Sequence, residues 1–139
     1  MDTYTIKEIS NRFQLPASTL RYYEEIGLLN NVTHTANHQR VYTQEHIDRL
    51  NAISCFKQTG LSLGKMQEFF TYEKDLKNHL PDILTLLSQQ EQDIQKQILQ
   101  LQEGLAHIQH KIRFYHGIEE AIEKKQPWPC WDCFAQPNQ

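Results

Sequence analysis

Between Leu80 and Ile122 the apolar residues return every fourth or third position in one unbroken register. The series runs Leu80, Leu84, Leu87, Glu91, Ile94, Ile98, Leu101, Leu105, Ile108, Ile112, Tyr115, Glu119 and Ile122, with only the two glutamates interrupting it. A repeat near 3.5 residues lays such a series along one narrow seam of an α-helix. Forty-odd residues at about 1.5 Å each form a rod of roughly 60 Å, too long to bury its stripe on a small neighbouring domain. The helix therefore needs a partner helix. Folding back on its own domain would require a hairpin turn that the seam does not contain, and Gly104 lowers helix propensity without ending the helix. The expectation is a dimerisation helix over residues 80–124, packed in a homodimer through Leu87, Ile94, Ile98, Leu101, Leu105, Ile108 and Ile112.

Residues 1–72 read as a separate small domain. Thr5 to Phe13 has Ile6, Ile9 and Phe13 on one face, with Thr5 as N-cap and Glu8 completing a capping box. Gln14-Leu15-Pro16 interrupts, and Pro16 suits the first turn of a second helix that runs from Ala17 to Ile26 and stops at Gly27. Two short helices around a tight turn fit a helix-turn-helix. The second would present Ser18, Thr19, Arg21 and Tyr22 outward and pack Leu20 inward. From Asn30 to Tyr42 the composition turns to Asn, Thr and His, and Gln39-Arg40-Val41-Tyr42 alternates like the returning strand of a hairpin, a wing. Thr43 caps a third helix to about Thr59, with Ile47, Leu50, Ile53 and Ser54 on its inner stripe and Gly60 as its stop. Ser62 opens a fourth through Phe70. A connector over 73–79 leads to the coiled coil, and a tail over 125–139 follows it. The fold class is mainly α.

Charge narrows the function. The net charge of −3 argues against indiscriminate nucleic-acid binding, but residues 1–70 balance seven Lys and Arg against seven Asp and Glu. DNA binding by this half has to rest on a few placed cations, hydroxyl donors and helix N-termini, supplied twice by a dimer. No run of about 18 apolar residues and no leader-like N-terminus occurs, so the reading is cytoplasmic with no membrane partner. No nucleophile–base set, phosphate loop or cofactor motif suggests an enzyme. A coiled-coil adaptor that never touches DNA is the rival class; unlike a DNA-binding protein, it would be indifferent to Arg21→Ala and Arg40→Ala.

The stretches Thr5-Ile-Lys-Glu-Ile, Thr19-Leu-Arg-Tyr-Tyr-Glu-Glu-Ile-Gly-Leu-Leu, Gln39-Arg-Val-Tyr and Lys57-Gln-Thr-Gly-Leu-Ser-Leu, in this order, resemble the MerR family of bacterial transcriptional regulators. The resemblance covers the chain to about residue 124. It implies a winged helix-turn-helix dimer joined by an antiparallel coiled coil, sitting on double-stranded promoter DNA. The dimer would bend and untwist an overlong spacer so that RNA polymerase holoenzyme meets both promoter elements correctly. Arg21 would offer a planar donor fork to a guanine edge or phosphate, and Tyr22 a hydroxyl to the backbone. Tyr23 would do the same or fill the core. Arg40 and Tyr42 resemble the family's wing pair against the DNA backbone, with a solvated hairpin as the plain alternative. Thr5, Ser18 and Thr19 are further hydroxyl candidates, while Ser62 and Lys65 would hold a phosphate at the start of the fourth helix.

The chemical handles for an effector are Cys55, Cys130 and Cys133. Cys55, two residues before Lys57, stands where a MerR subgroup responding to aldehydes and other thiol-reactive or oxidising stress carries its cysteine. A thiolate beside a cation would be more nucleophilic, whereas the plain alternative is a small buried residue. Cys130-Trp-Asp-Cys133 is either a redox dithiol or half of a metal site, which makes a transition-metal ion the alternative effector and the only cofactor to consider. His107, His110 and His116 read as coil surface.

Overall fold

A computed structural model of the chain describes residues 2–134; the end of the tail, 135–139, lies outside the described residues. The chain divides into two compact units, residues 1–90 and 91–139.

The first unit opens with a two-residue strand β1 (Tyr4–Thr5) that leads directly into α1 (Ile6–Phe13). Thr5 ends the strand and caps the helix, its hydroxyl accepting the Glu8 N–H at 3.1 Å, which is the backbone half of the expected capping box. Gln14 then turns the chain in the left-handed region at φ 55°, and α2 (Ala17–Glu25) follows Pro16. Gly27, at φ 84°, stops it where a Cβ would be strained. Strands β2 (Thr33–His34) and β3 (Arg40–Tyr42) form the wing, closed by a turn in which the His38 N–H donates to the Thr35 carbonyl at 2.9 Å. The sheet order is β1-β3-β2, antiparallel throughout, with Tyr4 opposite Tyr42 and His34 opposite Arg40. The hairpin was legible in the sequence, but β1 was not: two residues are too few to show an alternation.

Helix α3 (Gln44–Gln58) ends ahead of Gly60, and α4 (Leu63–Glu73) is capped by Ser62, whose hydroxyl accepts the Lys65 N–H. Their inner faces close one core with Ile9, Leu20, Tyr23, Tyr42, Ile47, Leu50, Ile53, Met66 and Phe70. Ser54, expected on the inner stripe of α3, is exposed. His46 is buried among these apolar residues. Its Nδ1 accepts the Thr43 N–H at 2.9 Å, which leaves Nε2–H to donate to the Asn30 carbonyl at 2.7 Å, so both ring nitrogens are satisfied and the tautomer is fixed. This imidazole ties the start of α3 to the root of the wing.

The connector expected over 73–79 is only a two-residue turn, Lys74–Asp75, because α5 (Leu76–Glu123) begins four residues earlier than expected. Pro81 lies in its second turn and leaves the Lys77 carbonyl without its usual intrahelical donor. Leu86 joins the first unit's core and Gln90 donates to the Thr59 carbonyl at 2.7 Å. The seam residues instead remain open in the single chain: Leu87 is 38% exposed, Leu101 74% and Ile108 53%. In the second unit α5 runs on to Glu123, and a short 3-10 turn (Trp131–Phe134) follows.

Candidate nucleic-acid interface

Three elements meet at one cleft of about 400 Å³: the N-terminal turn of α1 supplies Thr5, Ile6 and Lys7, α2 supplies Arg21, and the wing supplies His38, Gln39 and Arg40. Three of these side chains are cations, gathered from a half of the chain with no net charge. A concave, locally basic surface of this kind attracts phosphate. Ser18 and Arg21 are exposed on α2, Thr19 is half-buried, and Tyr22 is 46% exposed. No side chain among the described residues caps α2; the Thr19 N–H donates to the Pro16 carbonyl at 3.0 Å, and the N–H groups of Ala17 and Ser18 remain at the positive helix end.

The expected pairs behave differently. Tyr23 is buried at 2% exposure, and its hydroxyl accepts a hydrogen bond from Lys57 Nζ at 3.2 Å, so it serves the core rather than the surface. Tyr42 is fully buried, and its hydroxyl has no hydrogen-bond partner among the described residues. Burial first, and then the Glu24 carboxylate, pushes that phenol above its usual range. A backbone contact by Tyr42 is therefore not available in this conformation. Arg40, for which a solvated hairpin was the plain alternative, instead has an intramolecular partner: its Nε donates to Glu24 Oε2 at 2.7 Å, with both side chains about three-quarters buried. That hydrogen bond raises the guanidinium pKa further. The bond uses only the Nε–H, leaving the terminal nitrogens for a second acceptor.

Sequence reasoning missed three contributors. Lys7 sits in the first turn of α1, where the helix dipole disfavours a cation, and that misplacement was the available signal. Gln39 had no signal beyond its place in the wing. Glu24 was hidden because an acidic residue on a helix expected to meet DNA carries the wrong charge for phosphate. Ser62 and Lys65 lie apart from the cleft at the head of α4, where Lys65 Nζ is 3.4 Å from Glu68 Oε2 in an exposed pair.

Among the cysteines, Cys55 is free and exposed, which removes the buried-residue alternative. Lys57 does not stand beside it: residues two apart point to different faces of a helix, and the Lys57 ammonium goes to Tyr23. Cys130 and Cys133 are bonded to each other as a disulfide, and no group of three or more His, Cys, Asp or Glu side chains suited to a metal gathers among the described residues. No helix among the described residues is long and apolar enough to cross a membrane.

Known proteins share this arrangement. An uncharacterised HTH-type transcriptional regulator of Haemophilus influenzae is 29% identical over 113 residues, covering 81% of this chain and 84% of its own. The regulator YfmP of Bacillus subtilis is 27% identical over 128 residues, covering 88% and 90%. A crystal structure of HiNmlR, described as a MerR family regulator lacking the sensor domain and bound to promoter DNA, matches with a TM-score of 0.74 and 26% identity over 98% of each chain. The sequence model for MerR HTH family regulatory proteins matches residues 4–73, and that for the MerR DNA-binding region matches 47–111. Its helix-turn-helix, wing and long helix are those of a DNA-binding transcription regulator, and the chain belongs to the MerR family.

Proposed function

We propose that two copies of the chain pair along the α5 seam and bind promoter DNA through Arg21, Tyr22, Arg40, Thr5, Ser18 and Thr19. Ser62 and Lys65 add phosphate contacts at the head of α4. The observation that carries this reading is the single cleft into which α1, α2 and the wing each bring a cation. A dimer of such surfaces acts by deforming the DNA between its two contact regions, at a cost of order 1–6 kcal/mol for a smooth bend of 40–90°. Only an effector that binds or modifies one state of the dimer in preference to the other can switch it. The effector assigned to this chain is a thiol-reactive electrophile or oxidant acting at Cys55, which is supported by that thiol being both free and exposed.

Arg21→Ala tests the first part by fluorescence anisotropy on the promoter of the chain's own gene neighbourhood, where a loss of about 10-fold or more is expected. Unchanged affinity would favour the adaptor reading. For the second part, intact mass after exposure to formaldehyde, methylglyoxal or diamide should show an adduct or disulfide that maps to Cys55 and is lost in Cys55→Ser. An unmodified Cys55 in the dimer would remove it as the sensor.

A further inference from the structure

The segment after α5 holds a second thiol chemistry, separate from Cys55. Cys130 and Cys133 form a disulfide with their Cα atoms 5.4 Å apart, and the Cys133 N–H donates to the Cys130 carbonyl at 3.3 Å. Both residues are exposed. Trp131, between them, is turned back onto α5. Its ring lies 4.0 Å from that of His110 and 5.1 Å from that of Phe114, centroid to centroid, with Lys111 Nζ 5.2 Å over it. His110 Nε2–H donates to the Trp131 carbonyl at 2.8 Å. The neighbouring Trp128 is 65% exposed against 37% for Trp131. His110, expected to be plain coil surface, thus holds both the ring and the backbone of the residue enclosed by the disulfide.

A disulfide that acts as a staple gains most by closing a long loop, and one with two intervening residues closes almost none. An exposed disulfide is open to an attacking thiolate and belongs with the labile kind. We infer that Cys130–Cys133 is a reversible dithiol–disulfide couple, with Trp131 as a latch that its oxidised form holds against His110 and Phe114. In reduction, a thiolate of an external dithiol attacks one sulfur, and the S–S bond breaks. The displaced cysteine leaves as a thiolate and takes a proton. The reductant's second thiol then resolves the mixed disulfide, freeing the other cysteine and leaving the reductant as its own disulfide, for two electrons and two protons in all. Without the cross-link the backbone of Trp131 and Asp132 regains freedom that opposes docking. Lys111, which contacts the latch, also lines a groove with the seam residues Ile108 and Ile112, so the latch borders the surface a second α5 would cover.

The test uses the full-length chain carrying Cys55→Ser and Trp128→Phe, which leaves Trp131 as its one tryptophan and the tail pair as its only cysteines. Equilibration with mixtures of reduced and oxidised glutathione is followed by free-thiol count and Trp131 emission. Two thiols per chain should appear in one reversible step, passing from one-tenth to nine-tenths reduced over roughly a hundredfold change in the ratio of reduced glutathione squared to oxidised glutathione. The emission should shift to the red with the same midpoint. In Cys130→Ser the emission should stay at the reduced value at every ratio, and in His110→Ala the thiols should titrate with little change in emission. A pair that stays reduced throughout overturns the couple, and thiols that titrate while Trp131 emission stays constant overturn the latch. Because Cys55 is absent from this chain, either failure leaves the electrophile reading untouched.

Discussion

Glu24 brings a negative charge to the edge of the cleft proposed to meet phosphate, and its contact with Arg40 explains why that is tolerable. The carboxylate holds the wing arginine by its Nε, so its cost in repulsion is set against the gain of a cation already aimed before DNA arrives. Glu24→Ala should therefore weaken promoter binding by about 3- to 10-fold, equivalent to roughly 0.7–1.4 kcal/mol. A simple repulsion model gives the opposite sign, so tighter binding in a titration of this variant would show that Glu24 does not position Arg40. Tyr42 makes the complementary case. Its hydroxyl is buried without a partner among the described residues, a state that costs about 1–3 kcal/mol. Tyr42→Phe removes the orphan oxygen and keeps the ring against His46. The variant should gain about 1 kcal/mol in urea unfolding at constant slope and keep its promoter affinity. Loss of affinity would mean that the hydroxyl reaches DNA in a conformation other than this one.

At the level of elements, the helices were legible because their stops are written in single residues. Gly27 and Gly60 end α2 and α3 at positive φ, and Thr5 and Ser62 cap α1 and α4. The α5 seam was legible because its repeat needs no tertiary context. The sites were less so, for physical reasons that differ from residue to residue. Tyr23 and Tyr42 carry the same chemistry as the exposed Tyr22, and only the register of α2 and the pairing of β1 with β3 decide which hydroxyl sees solvent. The Lys57–Tyr23 contact spans 34 residues and no local pattern announces it. His46 had a local signal that went unread, since it takes the third helical position where a capping box normally has Glu or Gln. Its replacement tests the joint between α3 and the wing. His46→Leu loses the acceptor for the Thr43 N–H and leaves the part-buried Asn30 carbonyl without its donor, so a loss of about 2 kcal/mol in denaturant unfolding is expected. The wing amides from Thr33 to Arg40 should also exchange faster in hydrogen-exchange experiments. If stability falls but wing exchange is unchanged, His46 supports α3 alone.

Across the whole molecule, a chain of net charge −3 must bind a polyanion, and it does so by confining its acidic excess to the half beyond residue 70. Affinity that rests on few cations per copy depends on pairing, because two copies double the phosphates neutralised without adding net positive charge to either. Each phosphate neutralised contributes about 0.9 to the slope of log affinity against log salt concentration. Lys65, more than half exposed at the head of α4, is the cleanest place to count them. Its Glu68 partner is weakly held in water and easily exchanged for phosphate. Lys65→Ala should lower the slope by about 1.8 if a dimer binds with both copies engaged, and by about 0.9 if one copy binds alone. The wild-type and variant proteins would be compared by anisotropy on one promoter fragment from 50 to 200 mM salt, with random-sequence DNA as the second ligand. A phosphate contact weakens binding to both DNAs in similar proportion, whereas an effect confined to the promoter would make Lys65 a reader of sequence or shape. An unchanged slope on both would remove the head of α4 from the interface and leave the cleft of α1, α2 and the wing as the surface that meets DNA.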